Sequence, residues 1–271
     1  YKIAIKDNKG DWRGQTTIAL NKHQGDGLRF RNKLGFDLLT HVEELMGLRT
    51  TFVRLYVKDT TAGPDAKFED YGIYTQVEQL NKTALKAHGL DNRGHLYKVN
   101  VCEFYRYEDT IVLKDDPNYD LKAFEEILEI KGDDDHSKLI RMLEDVNDFA
   151  VPIEDVLEKW FDLENLAYWM AFNLILGNVD TQSRNFYLYS PQNVDRWYIL
   201  PWDLDGMMNR TEYEIVDRYD YEHWESGISN YWGNVLFQRC LKSEEFRKEL
   251  DAAVLDIKSI LSPSLVDSYV E

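Results

Sequence analysis

The hydrophobic period of the chain changes near residue 115, and this change limits the possible folds more than any other feature. In the first part of the chain, apolar side chains alternate with polar ones, as Val53, Leu55 and Val57 do. This period of two is typical of strands. After the turn-rich segment KDDPNYD (114–120), apolar side chains recur every three or four residues, which predicts helices. Strands followed by helices predict an α+β fold.

The local patterns predict individual elements within this fold. The polar stretch 59–70 is predicted to be a loop. The aromatic-rich segment 221–234 is predicted either to fold over a ligand site or to pack in the core. Strands are predicted at 1–5, 16–20, 50–58, 71–78, 185–190 and 196–200, with one or two more in 94–107. Helices are predicted at 31–46, 120–131, 137–149, 153–160, from Asp162 to Gly177, and through Phe246 to Leu255.

The length of 271 residues accommodates one large domain. We expect a single domain over 1–271 with a sheet-rich N-terminal lobe (1–115) and a helix-rich C-terminal lobe (116–271). A cleft between two such lobes is the usual place for a ligand. The chain opens at Tyr1 and not at a Met, so we expect a trimmed fragment.

The composition excludes several classes of protein. A formal net charge of −17 disfavours a nucleic-acid partner, which needs a basic surface. No stretch approaches the roughly 20 apolar residues that span a bilayer. Cys102 and Cys240 are too few for a disulfide framework or a zinc cluster, and we expect a buried pair or two free thiols.

Polar side chains lie at the edges of the most apolar part of the chain, between Leu176 and Gly206. Asp180 precedes Asn185 by five positions, two strand-like runs follow, and the second run ends at PWDLD (201–205). The two ends of a tight hairpin are neighbours. We therefore expect Asn185 to lie beside Asp203, with Asp180 just behind them.

Several carboxylates and an amide that converge in this way suit a hard divalent cation. The same set serves phosphoryl transfer, in which one Asp accepts the proton of the attacking hydroxyl while an Asn and a second Asp hold Mg²⁺. Protein kinases also separate the catalytic Asp from the Asn by four residues. The alternative is structural: Asp180 and Asn185 are turn residues, and Asp203 and Asp205 cap the next element.

Taken together, these motifs resemble the spore-coat CotH kinase family, an atypical kinase-like family. Five motifs occur in the family's order between Ile18 and Gly206, which makes the set much more specific than any single motif. They are LN (20–21) before RNKL (31–34), YGIYTQVEQL (71–80), HLYK (95–98), DTQSRNFYLY (180–189), and Trp197 before PWDLD (201–205).

The resemblance implies a kinase that uses ATP and Mg²⁺, with Mn²⁺ or Ca²⁺ as alternative cations, and that phosphorylates Ser or Thr of a protein acceptor. By position, Asp180 is then the catalytic Asp, Asn185 and Asp203 are metal ligands, and Asp205 is a further carboxylate of the metal site. The family places adenine between two aromatic rings. Here these rings are Tyr97 and Trp197, whose alternative role is core packing.

An acidic protein needs local cations to hold phosphate. Arg31, Lys33 and Lys98 are the candidates, and Arg31 also lies at a predicted helix start, where backbone N–H groups attract anions. Glu78 is a candidate to orient one of these cations, as the Glu of the kinase Lys–Glu pair does. The alternative for each cation is a solvated surface charge.

The sequence departs from the family at the loop 59–70, which replaces a short Asn-Gly turn, and it has no Gly-x-Gly-x-x-Gly loop. A nucleotide-binding pseudokinase or a coat scaffold therefore remains an alternative function. A glycoside hydrolase that uses Asp180 and Asp203 is a third hypothesis, and Asn185 argues against it. The family suggests a spore-surface, cell-surface or secreted bacterial location.

Overall fold

The protein is described by a computed structural model that covers residues 1–22, 26–178, 180–208 and 231–270. Within these ranges it has two four-stranded antiparallel sheets and nine helices, which confirms the α+β prediction. The strands are β1 (Lys2–Ala4), β2 (Thr17–Asn21), β3 (Thr50–Lys58), β4 (Phe68–Glu78), β5 (His95–Val99), β6 (Leu128–Ile130), β7 (Phe186–Ser190) and β8 (Tyr198–Pro201). The helices are α1 (Arg31–Leu39), α2 (Lys82–Ala87), α3 (Leu121–Ile127), α4 (Ser137–Asn147), α5 (Ile153–Trp160), α6 (Leu163–Ile175), α7 (Val235–Lys242), α8 (Glu244–Ile260) and α9 (Pro263–Val270).

The two sheets have the strand orders β1-β2-β4-β3 and β6-β5-β7-β8. Strand β5 pairs with both β6 and β7, so a boundary at residue 115 does not separate one sheet from the other. One hydrophobic cluster extends from Leu34 in α1 to Ile257 in α8. None of the helices in the described ranges has the length and apolar character that a bilayer crossing requires.

Helix α6 is capped at its N-terminus and is joined to the hairpin β7–β8 by a side-chain hydrogen bond. The Asp162 carboxylate caps α6 by accepting from the backbone N–H of Asn165 at 3.0 Å. The amide oxygen of Asn165 accepts from the backbone N–H of Ile199 at 2.7 Å, which ties α6 to β8. Gly177 ends the helix region with a φ of 58°, as glycine often does after a helix.

The structure corrects several predicted boundaries. Helix α1 ends at Leu39 and not at residue 46, because Thr40 closes it and turns bury the apolar side chains of Val42 and Leu45 instead. The predicted loop 59–70 is shorter, since β4 already begins at Phe68. The spacing of apolar residues along the sequence does not by itself distinguish a buried turn from a further turn of helix.

Other elements also differ from the predictions. The predicted helix 120–131 ends at Ile127, and the next three residues form β6, which pairs with β5. One strand, β5, forms within 94–107, in agreement with the prediction of one or two, and helices α2, α7 and α9 were not predicted. Of the segment 221–234, residues 221–230 lie outside the described residues.

Both cysteines are buried free thiols, which confirms one of the two predicted alternatives. Burial raises the pKa of Cys102 to about 12. It also raises the pKa of Cys240 well above its ordinary value. Thiols in this state are protonated and serve as small apolar core residues.

Lys138 is a buried cation that holds the turn between β7 and β8. Its Nζ donates to the backbone oxygens of Pro191 at 2.7 Å and Val194 at 2.8 Å, and to Ser190 Oγ at 3.2 Å. Burial lowers the pKa of this ammonium group. These hydrogen bonds to oxygen atoms of the turn satisfy the cation, and they fix the far end of the hairpin.

We expect Lys138→Met to lower the free energy of unfolding by about 3 kcal/mol, because it leaves several buried acceptors without a donor. Urea unfolding monitored by circular dichroism measures this loss. Lys159→Met is the matched control, since Lys159 makes an exposed ion pair with Asp145 and exposed pairs contribute little. Equal destabilisation by the two substitutions would contradict the role given to Lys138.

Candidate active site at the ends of the β7–β8 hairpin

The two ends of the β7–β8 hairpin meet as the sequence predicts. Phe186 pairs with Pro201, and the backbone N–H of Trp202 donates to the carbonyl of Asn185 at 3.2 Å. The side-chain amide of Asn185 donates to the Asp180 carboxylate (Oδ2) and to the Asp180 carbonyl, both at 2.9 Å. The structure therefore brings Asp180, Asn185 and the strand end that carries Asp203 into one place.

Two of these residues have a backbone conformation that side chains other than glycine rarely adopt. Asn185 has a φ of 63° and Asp203 a φ of 51°. Asn and Asp tolerate this left-handed region better than most residues, yet it still costs on the order of 1 kcal/mol. Such conformations persist only where the surrounding contacts enforce them, and they concentrate at functional sites.

Asn32 of α1 supplies the contacts that hold the Asp203 end. Its amide oxygen accepts from the backbone N–H of Leu204 at 3.0 Å, and its amide nitrogen lies 3.4 Å from Asp203 Oδ1. The side chain is buried in the protein. Sequence reasoning missed this role because it considered only the cations on either side of Asn32 in RNKL, although the motif itself was recognised.

Gly206 brings the end of PWDLDG close to the loop that carries Asp180. A Cβ atom at Gly206 would lie 2.9 Å from Asn178 Oδ1 and 3.4 Å from Asp180 Cβ. Any larger residue would displace one of these side chains, so glycine is required by close approach. Asp205 is half-buried immediately before this contact, on the same turn as Asp203.

Asp180 is accessible to a substrate. Half of its side chain is exposed, and Arg184 Nε lies 3.7 Å from its Oδ1 atom. The other carboxylate oxygen is fixed by Asn185. The geometry therefore offers an oriented carboxylate at the surface, which is what a general base for a hydroxyl group needs.

The donor atoms at this site fit Mg²⁺ together with a phosphate group. Because the Asn185 nitrogen faces Asp180, its amide oxygen is the atom suited to a cation. Among the described residues, no three His, Cys, Asp or Glu side chains are placed to hold a metal by themselves. Mg²⁺ rarely uses such a cage and is usually held by one or two carboxylates, water and substrate phosphates.

The predicted phosphate-binding cations lie near this site, and two of them pair with carboxylates. Arg31 and Lys33 flank Asn32 on α1, where Arg31 Nε lies 3.5 Å from Asp26 and Lys33 Nζ lies 2.5 Å from Asp37. The third, Lys98 on β5, has its Nζ 5.9 Å from the ring centroid of Trp202, the residue before Asp203. All three are partly exposed.

Glu78 orients a different cation from the three that were predicted. Its buried carboxylate accepts from Arg49 Nε at 3.0 Å and from the Arg49 backbone N–H at 3.1 Å, and His88 Nε2 lies 2.8 Å away. The prediction that Glu78 orients Arg31, Lys33 or Lys98 is therefore wrong for this structure. The spacing of sequence motifs does not show that Arg49, one residue before β3, lies opposite Glu78 on β4.

This cluster makes stability depend on pH. Burial raises the pKa of Glu78, but hydrogen bonds from His88 and Arg49 outweigh it and lower the pKa from 4.5 to about 2. A depressed carboxyl pKa stabilises the fold above pH 4.5, and this stabilisation is lost as the pH falls towards 2.

We expect Glu78→Gln to lower the free energy of unfolding by about 3 kcal/mol at neutral pH and by much less at acidic pH. Urea unfolding at several pH values between these limits measures the difference. Glu69→Gln, at an exposed position of β4, is the matched control and is expected to follow the wild-type profile. A Glu78→Gln loss that is the same at every pH would contradict this account.

Tyr97 and Trp197 lie inside the core, in contact with each other. Both side chains have 0% exposure, and their ring centroids are 6.1 Å apart. Two rings that sandwich a third need a separation of about 7 Å or more. The predicted adenine site therefore requires the two rings to move apart, and in this structure they pack as core residues.

Taken together, the fold and the site define an α+β protein with a carboxylate–amide site at the end of a β-hairpin. The family described as CotH kinase protein matches residues 1–271. The chain belongs to this family. It is also similar to the protein named "Inner spore coat protein H" of Bacillus subtilis (strain 168), with 23% identity over 252 residues, which are 92% of this chain and 63% of that relative.

Proposed function

We propose that this protein transfers the γ-phosphoryl group of ATP, with Mg²⁺, to Ser or Thr hydroxyl groups of a protein acceptor. The observation that carries the proposal is the grouping of Asp180, Asn185 and Asp203 at the ends of one hairpin. Membership of the CotH kinase protein family supports it. A spore-surface location is proposed from the name of the Bacillus subtilis relative.

Each residue of the site has a distinct role in this proposal. Asp180 accepts the proton of the acceptor hydroxyl, and the Asn185 amide keeps its carboxylate oriented through the 2.9 Å hydrogen bond. The amide oxygen of Asn185 and the Asp203 carboxylate are the ligands for Mg²⁺, with Asp205 as a further carboxylate. When bound, Mg²⁺ neutralises phosphate charge and aligns the transferred group.

The nucleotide contacts extend from this site. In this proposal Arg31 and Lys33 exchange their carboxylate partners, and Lys98 its contact with Trp202, for phosphate oxygens. We propose that Tyr97 and Trp197 receive adenine after they separate. Cation–phosphate contacts compensate for the net charge of −17, which otherwise repels ATP.

A scaffold protein or a nucleotide-binding pseudokinase is the second candidate, and the closed pair of Tyr97 and Trp197 favours the scaffold. If these rings stay together, ATP lacks the proposed adenine site. The spore-coat name of the relative also fits a scaffold.

Titration calorimetry with Mg·ATP, followed by transfer of a labelled γ-phosphate to Ser- and Thr-containing proteins, distinguishes these functions. The kinase proposal predicts binding and transfer, both abolished by EDTA. Binding without transfer to any acceptor would favour the pseudokinase. No binding would favour the scaffold, and glycoside hydrolysis that survives EDTA would revive the hydrolase hypothesis.

A further inference from the structure

Strand β3 forms the edge of the first sheet. It is nine residues long (Thr50–Lys58), and the strand order β1-β2-β4-β3 leaves its outer side unpaired among the described residues. It contains no proline. A long edge strand of this kind is a template for another extended segment.

The register shows which backbone groups of β3 face outward. The N–H of Glu78 donates to the carbonyl of Arg49 at 2.9 Å, and the next residue, Thr50, lies opposite Val77. Alternate residues of an antiparallel strand turn their backbone groups towards the partner. From Arg49 onward, odd-numbered residues therefore face β4, and even-numbered residues turn their N–H and C=O groups to the edge. The register shift after Leu55 adds a residue to β4 and leaves this alternation in β3 unchanged.

The side chains at these even-numbered positions alternate between aromatic rings and cations. Phe52 and Tyr56 are 49% and 52% exposed, and Arg54 and Lys58 are also exposed. Arg54 is paired with Asp70 of β4. All four side chains lie on one face of the strand, because positions two apart share a face.

Strand β3 itself carries two cations, Arg54 and Lys58, and no acidic residue, whereas the chain as a whole has a net charge of −17. Asp70 of β4 pairs with Arg54, and both side chains of this pair are exposed, so an acidic partner can share the guanidinium. A second copy paired about Tyr56 would place Arg54 opposite Lys58, where like charges are destabilising, whereas an acidic segment meets a cation at both positions. The cations and rings instead complement acidic and apolar side chains.

We propose that β3 binds an extended segment of a partner protein as an additional strand of the first sheet. In that segment, acidic side chains lie opposite Arg54 and Lys58, and apolar side chains lie opposite Phe52 and Tyr56. Its intervening residues pack beside the half-buried Val53, Leu55 and Val57 and are therefore small or β-branched. This binding does not require phosphoryl transfer.

A fluorescent peptide of sequence Glu-Val-Ile-Thr-Glu-Val-Ile-Thr-Glu is a direct probe, and binding is measured by anisotropy. Tyr56→Pro is expected to weaken binding about tenfold or more, because proline removes an outward N–H that the fold itself does not use. Tyr56→Thr is the matched control: it keeps the N–H and the strand propensity, and we expect a loss of about threefold.

Charge reversal provides a second test that does not depend on proline. The double variant Arg54→Glu with Lys58→Glu is expected to bind the acidic peptide about tenfold more weakly and to prefer a peptide with Lys in place of Glu. Thermal unfolding checks that each variant folds. If Tyr56→Pro does not fold, the test of the proposal rests on the affinity of the double variant for the Glu and Lys peptides.

Three results would overturn the proposal. One is equal affinity of the wild type for the Glu and Lys peptides. Another is an equal affinity of folded Tyr56→Pro and Tyr56→Thr for the Glu peptide. The third is a wild-type dimer in sedimentation experiments that Tyr56→Pro dissociates, which would assign the edge to a second copy.

Discussion

Asp203→Ala is expected to weaken Mg·ATP binding by about 100-fold or more, because it removes the carboxylate proposed to hold the cation. Asp203 lies in a left-handed conformation at the end of β8, where Asn32 holds the following backbone N–H through a 3.0 Å hydrogen bond. That hydrogen bond does not use the Asp203 side chain. The variant should therefore fold while its metal site is lost.

Titration calorimetry with Mg·ATP measures this effect. Asp195→Ala is the matched control, because Asp195 is an exposed carboxylate at the opposite end of the same hairpin, 3.8 Å from Arg141. The control should bind as the wild type does. ATP turnover retained by Asp203→Ala would reject the assignment of Asp203 as a metal ligand.

Asp180→Asn is expected to slow phosphoryl transfer by about 10²–10⁴-fold while Mg·ATP affinity changes by less than about threefold. The substitution keeps the shape of the side chain and removes the base that accepts the hydroxyl proton. Because Asp180 is half-exposed and the proposed metal ligands are other residues, we expect nucleotide binding to persist.

The measurement is single-turnover transfer of a labelled γ-phosphate at saturating Mg·ATP, with Asp195→Asn as the control. This arrangement separates the chemical step from binding. Weaker binding with unchanged chemistry per bound nucleotide would contradict the role given to Asp180.

The sequence predicts the hairpin site well because the evidence for it is local. Asp180, Asn185 and Asp203 lie within one short stretch, and the geometry of a hairpin is enough to place its ends together. The strand register then confirms the juxtaposition, with Phe186 opposite Pro201. The catalytic and metal-binding roles themselves stay predictions until a nucleotide or metal is bound.

Contacts between distant segments could not be predicted in this way. Asn32 meets Leu204 across 172 positions, and Glu78 meets Arg49 across 29. Each of these partners is one of many polar residues in the chain. Neither the hydrophobic period nor the spacing between motifs distinguishes it from the others. Family motifs contain both Asn32 and Leu204, but only Glu78 of the second pair, and only the fold selects the contacting residues.

The same limit explains the errors in secondary structure. The apolar residues Val42 and Leu45 continue the spacing of α1, yet they are buried by turns. Leu128 and Ile130 belong to β6 because β5 lies beside them, although the local pattern favours a helix. Tertiary pairing decides such short segments.

The most direct test of the proposed site is a crystal structure with Mg²⁺ and a non-hydrolysable ATP analogue. The proposal predicts Mg²⁺ about 2.1 Å from the Asn185 amide oxygen and from an Asp203 carboxylate oxygen. It also predicts that the γ-phosphate faces Asp180 and that the rings of Tyr97 and Trp197 are separated around adenine. A nucleotide bound away from the β7–β8 hairpin, or a metal without Asp203 as a ligand, would contradict it.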